Sequence, residues 1–154
     1  MNKIPLEIII LNKTYAKDVL DLFLRTKKEY SKYFIPFEFN LNIIESFLRN
    51  AKKDLFFGLF VDKKMIGFYM LRGFDEGFKV PSYGVFIDEN YSGKGLGQLT
   101  LFHAISQCKI LNVKKLLLKV HPDNLSAKHI YEKNGFIIEG VDPKNDNLIM
   151  FKDL

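Results

Sequence analysis

The sequence predicts an α+β domain built on a mixed, mostly antiparallel sheet of six to seven strands with about four helices. Short apolar runs and amphipathic segments follow one another in the order β-α-α-β-β-β-α-β-α-β-β. Three consecutive apolar runs in the middle of the chain are separated only by short polar turns, which favours antiparallel pairing. A helical segment then separates two apolar runs, which predicts a right-handed crossover and one parallel pair.

The first half of the chain predicts one strand, two helices and a three-stranded meander. Residues 6–11 form a short run rich in isoleucine, typical of a buried strand. The apolar residues of 15–27 fall on one side of a helical wheel, with Thr14 as N-cap. A second helix spans Leu41–Asn50, after an aromatic segment whose Pro36 predicts a loop. The meander strands are Leu55–Val61, 64–71 and Ser82–Ile87, the first two joined through D-K-K.

The second half predicts the crossover helix, a buried strand, a last helix and two closing strands. Helix 97–110 is indicated by the near-helical spacing of Leu99, Leu101, Phe102, Ile105 and Ile110. Strand 114–120 follows, and Asp123 or Asn124 can cap a helix that runs to about residue 133. That helix ends at Asn134-Gly135, the pattern of a left-handed C-cap. The closing strands are 136–141 and 148–152.

The composition predicts one globular domain over residues 1–154. Of the 154 residues, 47% are hydrophobic and 27% charged, enough to bury a core and too apolar for a disordered protein. The net charge of +5 favours an anionic ligand, but its even spread makes a nucleic-acid partner unlikely. One cysteine, Cys108, and three histidines offer neither a disulfide framework nor a Cys-rich zinc site, so we expect no metal. A reducing cytoplasm is the expected location, since the N-terminal apolar run is too short for export or membrane anchoring.

A glycine-rich loop, Y-S-G-K-G-L-G at residues 91–97, joins the third meander strand to the crossover helix. This geometry directs unpaired backbone N–H groups and the positive end of the helix dipole to one point, so the loop predicts an anion site. No G-K-[ST] follows, and Gln98 stands where the dinucleotide fingerprint requires glycine, which argues against nucleoside triphosphates and NAD. The alternative is a plain tight turn in which glycine relieves crowding.

Two sequence blocks, V-F-I-D-E-N-Y-S-G-K-G-L-G and N-L-S-A-K-H-I-Y-E-K-N-G-F, follow each other in the second half of the chain. Together they resemble the GNAT superfamily of acyl-CoA-dependent N-acyltransferases: the first is similar to the family's pyrophosphate loop, and the second to its Asn-x-x-Ala-x-x-x-Tyr-x-x-x-Gly-Phe helix and turn. The resemblance is sharpest over residues 85–136 and implies an α/β/α-layered, GNAT-like fold with acetyl-CoA as cofactor. One position departs from the pattern: Ser92 stands where the family has Gln or Arg, and Lys94 can supply the missing positive charge.

The resemblance also implies which residues bind the cofactor. Backbone groups of Val85 and Ile87 in the fourth strand would bind the pantetheine amides, and the glycine loop would hold the pyrophosphate. Asn124 would contact the pantetheine arm and Tyr131 would lie near the acetyl sulfur, although a helix cap and a core aromatic are their plain alternatives. The full implied set is Val85, Phe86, Ile87, Ser92, Gly93, Lys94, Gly95, Leu96, Gly97, Asn124, Ala127 and Tyr131.

Acyl transfer to nitrogen requires a deprotonated amine and a proton for the departing thiolate. Tyr131 is the expected general acid, because a phenol with a reference pKa near 10 can donate a proton without being ionised beforehand. The general base stays open, since Lys119 stands where some family members have Glu in the fifth strand. The candidates are Glu76, Asp75 and His121, each with a solvated surface role as its alternative, or a water relay.

The expected acceptor is the primary amine of a small molecule such as an amino sugar. Aromatic residues around Pro36 would lie beside the acceptor groove in the resembling fold, and core packing is their alternative. They are Tyr30, Tyr33, Phe34, Phe37 and Phe39. The competing functions are a protein N-terminal or lysine acetyltransferase, a non-catalytic acyl-CoA-binding domain and, from charge alone, an RNA-associated domain. No membrane partner is expected, and the protein is expected to be a monomer or a homodimer.

Overall fold

A computed structural model describes residues 2–34 and 37–154, and its architecture rests on a seven-stranded sheet. The strands are β1 (Leu6–Ile10), β2 (Leu55–Val61), β3 (Lys64–Arg72), β4 (Ser82–Ile87), β5 (Lys115–Val120), β6 (Ile137–Val141) and β7 (Leu148–Asp153). Their spatial order is β1-β2-β3-β4-β5-β7-β6, in which β4 and β5 run parallel and the other neighbours antiparallel. The predicted mixed, mostly antiparallel sheet is therefore confirmed.

Helices cover both faces of this sheet. They are α1 (Ala16–Leu24), α2 (Lys28–Ser31), α3 (Leu41–Asn50), α4 (Leu96–Ile110) and α5 (Leu125–Lys133). Along β3, Tyr69 and Leu71 pack with the core on the α4 side, whereas Phe68 and Met70 pack with the core on the α1 and α3 side. This alternation buries β3 on both faces and produces the α/β/α layers.

The N-terminal helical region differs from its prediction. The single helix predicted over 15–27 is a 3-10 turn (Lys13–Tyr15) followed by α1, and its cap is Asn12, whose side chain accepts the Thr14 N–H at 2.9 Å. The prediction of about four helices misses α2, a helix of four residues that is too short to show a periodic apolar pattern. Pro36, on which the predicted loop rests, lies outside the described residues.

β1 lies at the edge of the sheet, so the prediction of a buried strand is wrong. It pairs on one side only, with β2, and Leu6 and Ile10 are 40% and 56% exposed. Only the central residues Ile8 and Ile9 pack against the core, on opposite faces. A run of β-branched residues fits an edge strand as well as a central one, because both are extended backbone.

The predicted meander and its first hairpin are confirmed. β2 and β3 are connected by Asp62 and Lys63, which both have positive φ, 48° and 63°. A two-residue turn of this kind matches the right-handed twist of the strands.

α4 makes the predicted crossover from β4 to the parallel strand β5, but its burial differs from a simple amphipathic helix. Of the residues whose spacing predicts it, Leu101 and Ile105 are buried, whereas Leu99, Phe102 and Ile110 are 39%, 53% and 74% exposed. Apolar residues on both faces prevent periodicity from identifying the core side. None of the helices in the described ranges is both long and apolar enough to span a membrane.

Candidate active site

β4 and β5 separate soon after they begin, which opens a gap in the middle of the sheet. They pair at Ser82–Leu117 and Tyr83–Leu118, and the Leu117 N–H donates to the Pro81 carbonyl at 3.0 Å. The ladder then ends although both strands continue. The facing edges of β4 and β5 therefore have backbone groups available to a ligand.

The peptide groups of Val85 and Ile87 point toward this gap. In β4, the Asp88 N–H that follows the strand donates to the Ile66 carbonyl at 2.8 Å, on the β3 side. Because peptide groups alternate in direction along a strand, Phe86 also faces β3, whereas Val85 and Ile87 face away from it. The two positions expected to bind pantetheine are thus brought to the gap, and Phe86 is not.

The loop between β4 and α4 presents a row of free donors. No described residue accepts a hydrogen bond from the N–H groups of residues 93–98, and the Leu99 N–H makes the first helical bond, to the Gly95 carbonyl at 3.0 Å. Gly93 and Gly95 have φ of 72° and 80°, which favour glycine, and a Cβ on either would meet nothing within 4 Å. Unpaired donors facing open space at the positive end of α4 fit a diphosphate.

The side chains of the loop differ in whether they are available to bind an anion. Ser92 Oγ donates to the Glu89 carbonyl at 2.8 Å and so closes the 3-10 turn Glu89–Tyr91 instead of replacing a long donor. Leu96 is buried in the core, and its N–H group has no acceptor among the described residues. Lys94 is exposed, so its ammonium is available to an anion.

An ion pair that the sequence does not reveal fixes the start of this loop. Arg25 Nε donates to Asp88 Oδ2 at 2.9 Å, and Arg25 Nη2 donates to the Met65 carbonyl. Burial alone would raise the pKa of Asp88, whose side chain is 1% exposed, but hydrogen bonds from the Asn90 N–H and Arg25 lower it overall. The pair joins the end of α1 to the end of β4. No local pattern predicts it, because the partners are 63 residues apart.

A reciprocal amide pair, also missed, holds α5 against the first turn of α4. Gln98 Nε2 donates to Asn134 Oδ1 and Asn134 Nδ2 donates to Gln98 Oε1, both at 3.0 Å. Nearby, a Cβ on Gly97 would lie in ordinary contact with Ile130 at 3.7 Å. These contacts fix the position of α5 relative to the glycine loop.

Tyr131 is buried on α5 beside β4. Its ring is perpendicular to that of Tyr83, with centroids 6.4 Å apart, and it also packs against Phe136. Burial raises the pKa of the Tyr131 phenol well above its ordinary value, so the group is protonated at neutral pH. The Tyr83 hydroxyl is hydrogen-bonded to Thr100 Oγ1 at 3.0 Å. A phenol that keeps its proton can act as an acid but not as a base.

Asn124 and Ala127 lie in the first turn of α5. Asn124 Oδ1 accepts the Ala127 N–H at 3.4 Å, so the helix-cap role of Asn124 is real. That bond uses the side-chain oxygen and leaves the amide nitrogen as a donor. The cap and the ligand contact are therefore compatible in one residue.

A cavity of about 920 Å³ opens over β4 and β5. Its floor includes Met70, Gly84 and Leu117, and Met70 belongs to the core on the α1 side of the sheet. Its walls come from the segment after α2, the β3–β4 loop and the β6–β7 loop, and they include the aromatic residues Tyr33 and Phe78. A volume of this size suits a small-molecule site.

The expected aromatic residues divide between this cavity and the core. Tyr33 and Phe34 line the cavity. By contrast, Phe39 stacks on Phe23, Phe37 packs on Phe47 and Tyr30 meets Phe86 edge-on. Core packing thus accounts for Phe37 and Phe39, whereas Tyr30 is 39% exposed and Phe34 both lines the cavity and packs against the core.

The acidic base candidates occupy different positions. Glu76 lines the cavity. Asp75 instead accepts the N–H groups of Lys52, Lys53 and Asp54 at 3.0, 2.8 and 3.2 Å, and the bond from Lys52 leads the lowering of its pKa. Asp75 therefore ties the β3–β4 loop to the segment before β2.

His121 follows β5 and packs against the cavity wall. Its ring stacks on that of Tyr33 with centroids 4.5 Å apart, and its Nδ1 accepts the Asp123 N–H at 3.1 Å. A neutral imidazole that accepts at Nδ1 carries its proton on Nε2. This arrangement occupies the lone pair that a base would need.

Lys119 also lines the cavity, where it forms an ion pair. Its Nζ lies 2.8 Å from Asp142 Oδ2, and the Asp142 side chain is 7% exposed. Hydrogen bonds from Lys119 and from the Lys144 N–H lower the pKa of Asp142. The carboxylate beside Lys119 therefore belongs to Asp142 of the β6–β7 loop, and the Lys119 ammonium group in β5 neutralises its charge.

Comparison with known proteins agrees with this architecture. Residues 17–136 match the profile of the Acetyltransferase (GNAT) family. The chain is 31% identical over 117 residues to a spermine/spermidine N(1)-acetyltransferase of Bacillus subtilis, which covers 70% of this chain and 77% of the relative. A GNAT-family acetyltransferase from Streptococcus pneumoniae superposes with a TM-score of 0.79 at 21% identity, covering 97% and 99% of the two chains. A spermidine N-acetyltransferase from Vibrio cholerae, solved with CoA and spermine, gives 0.77 at 20% identity, covering 96% and 95%.

Proposed function

Because this chain belongs to the GNAT family of acetyltransferases, we propose that it acetylates the primary amine of a small molecule. It is an acyl-CoA-dependent N-acetyltransferase with acetyl-CoA as its cosubstrate. The observation that carries this proposal is the junction of two sites at β4: free loop donors and the β4–β5 gap on one side, and a cavity of about 920 Å³ beside the same strands. The curated relative from Bacillus subtilis has a small-molecule amine in its name, which supports this acceptor class over a protein N-terminus or a lysine side chain.

The N–H groups of residues 93–98 and the Lys94 ammonium would hold the diphosphate of the cosubstrate. Val85 and Ile87 would bind its pantetheine amides through their backbone groups, and Asn124 would donate from its side-chain amide. Acetyl-CoA supplies an acetyl thioester, whose C–S bond breaks as the new C–N bond forms, while the amine loses one proton and the thiolate gains one.

Tyr131 is the proposed general acid. Its phenol is protonated at neutral pH, its ring is buried beside β4, and Oη makes no hydrogen bond to a described residue, so the proton is available for transfer. Glu76 is the better-supported base, because it lines the cavity and its carboxylate makes no hydrogen bond to another described side chain or backbone group. His121 is less well supported, since its Nδ1 already accepts the Asp123 N–H.

Calorimetric titration with acetyl-CoA, followed by an assay of thiol release against a panel of amines, tests the proposal. We expect acetyl-CoA to bind in the micromolar range and thiol release to depend on an amine. Binding without turnover by any amine would identify a non-catalytic acyl-CoA-binding domain. Absence of binding by folded protein would overturn the site itself.

The cytoplasm stays our proposed location. Cys108 is free and fully buried, and burial raises the pKa of its thiol to about 11. A single unpaired cysteine is typical of a protein kept in a reducing compartment.

A further inference from the structure

The acceptor cavity carries more positive than negative charge. Its charged lining consists of Arg72, Lys79, Lys119 and Lys144 against Glu76 and Asp142. The Lys119–Asp142 ion pair, with Nζ and Oδ2 2.8 Å apart, neutralises one charge of each sign. Three cations then face a single remaining carboxylate.

These three cations are not paired with carboxylates elsewhere in residues 2–34 and 37–154. The Arg72 guanidinium lies over the ring of Phe47, 4.5 Å from its centroid, a contact that leaves its edge donors available. Lys79 and Lys144 are exposed and lie in the β3–β4 and β6–β7 loops, which form two walls of the cavity. Both loops therefore present an ammonium group to whatever enters.

This charge distribution discriminates between classes of amine. A polyamine would bring further ammonium groups among three unpaired cations, and like charges brought close together disfavour binding. A carboxylate would instead receive charge-assisted hydrogen bonds from Lys79, Lys144 or Arg72. The aromatic wall residues Tyr33, Phe34 and Phe78 would cover the carbon chain between the two ends of such a molecule.

We infer that the acceptor is a small primary amine that also carries a carboxylate, bound by the cations of the β3–β4 and β6–β7 loops. This inference rests on the proposed function and narrows it to one substrate class. It also separates this protein from the spermine/spermidine N(1)-acetyltransferase of Bacillus subtilis, which has polyamines in its name.

A pair of matched substrates tests the inference directly. The compounds 6-aminohexanoate and 1,6-diaminohexane share a primary amine and a chain of equal length but have opposite charges at the far end. With saturating acetyl-CoA at low ionic strength, we expect kcat/KM to be at least about tenfold higher for the aminohexanoate. The preference should shrink as salt is added, because screening weakens the interaction.

Charge-reversal variants identify the residues responsible. The double variant Lys79→Glu/Lys144→Glu should reverse the preference, while Lys109→Glu, an exposed lysine near the end of α4 that is not part of the cavity lining, should leave the ratio unchanged. Both changed cavity residues are exposed, and a ratio of two substrates does not depend on the fraction of protein that is folded.

Each outcome decides the inference. Three results would overturn the inference while leaving the acetyltransferase assignment intact. They are an equal or higher kcat/KM for the diamine, turnover of spermidine but of neither test compound, and acetylation only of an acidic peptide N-terminus. If acetyl-CoA binds and no amine of any class is acetylated, the proposed function fails and this inference fails with it.

Discussion

Tyr131, the proposed general acid, shows how the surroundings of a residue set its protonation state. Its ring is fixed between Tyr83 and Phe136, and burial keeps its phenol protonated. Burial thus packs the ring into the core and also keeps a proton on the hydroxyl group. The core and catalytic interpretations are therefore not exclusive.

Replacing Tyr131 by Phe removes the hydroxyl and keeps the ring. We expect kcat to fall by about 100-fold, the lower end for loss of a general acid, with little change in the Kd for acetyl-CoA. Thiol-release kinetics and calorimetry measure the two quantities separately. Tyr15→Phe, which changes a tyrosine outside the site in the same way, serves as a control. Unaltered kcat in the Tyr131 variant would remove this residue from the reaction.

Glu76 and Asp75 are neighbours in sequence with different surroundings. We expect Glu76→Gln to lower kcat/KM at neutral pH, where the amine still has to lose a proton, because a carboxylate base is lost. Asp75→Asn should instead lower the melting temperature and leave kcat per folded molecule unchanged, since Asp75 is bonded to three backbone N–H groups. Thermal melts and rate measurements on both variants check this division. The opposite assignment of effects would make Asp75 the base.

At the level of elements, the shape of the glycine loop depends on the left-handed backbone conformation of Gly95. Gly95 is the left-handed residue immediately before α4, with φ of 80°, and open space lies where a Cβ would be. A side chain at this position would therefore clash with no neighbouring residue. Glycine is favoured because of the positive φ, and this backbone conformation also sets the orientation of the free N–H groups.

We expect Gly95→Ala to reduce the free energy of unfolding by about 1 kcal/mol and to weaken acetyl-CoA binding by about tenfold or more. The strain at positive φ would be relieved by moving the loop, which misdirects its donors. Gly140→Ala is a matched control, because Gly140 also has open space around a Cβ but no positive φ. Denaturant unfolding and calorimetry measure both effects. Unchanged affinity in the Gly95 variant would contradict the role of the loop in binding.

The elements that sequence predicts well are those whose signal is local. The meander, the crossover and the left-handed turn at Gly135 each follow from short turns, apolar runs or a single glycine, and the structure confirms them. The edge position of β1 and the exposed apolar residues of α4 were missed because burial is decided by neighbours distant in sequence, and α2 was missed because four residues show no periodic pattern.

The candidate site also combines features that the local sequence predicts with features that it does not. The loop donors could be expected from glycine spacing, since helix N-termini always present free N–H groups. The Arg25–Asp88 pair, the Gln98–Asn134 pair and the Lys119–Asp142 pair could not, because each joins elements whose proximity only the complete fold determines.

At the scale of the whole molecule, the titratable groups His103 and Asp88 predict how stability depends on pH. Burial lowers the pKa of His103, whose Nδ1 is hydrogen-bonded to the Tyr69 hydroxyl at 2.5 Å. The unfolded chain thus takes up this proton at higher pH than the folded protein. Stability is therefore lost as pH falls from the unfolded value near 6.5 toward the lower folded one. The lowered pKa of Asp88 adds a second loss below about pH 4.

Melting temperatures recorded from about pH 8 to pH 3 check this prediction. We expect a decline in two stages, with His103→Gln removing the first stage and Asp88→Asn reducing the second, to which Asp75 and Asp142 also contribute. The Asp88 variant should be less stable at neutral pH, because Arg25 then loses its carboxylate partner. A melting temperature that stays constant between pH 7 and pH 5 in the natural protein would contradict the assignment to His103.

The early end of the β4–β5 ladder divides the sheet into a four-stranded part and a three-stranded part, which two residue pairs and the shared core hold together. Such an interruption lets one part open without the other, so amide deuterium exchange in β5, β7 and β6 should outpace that in β3 when the protein is alone. A coenzyme seated between the parts would couple them into a single cooperative unit, and each catalytic cycle would then alternate between a looser and a tighter protein.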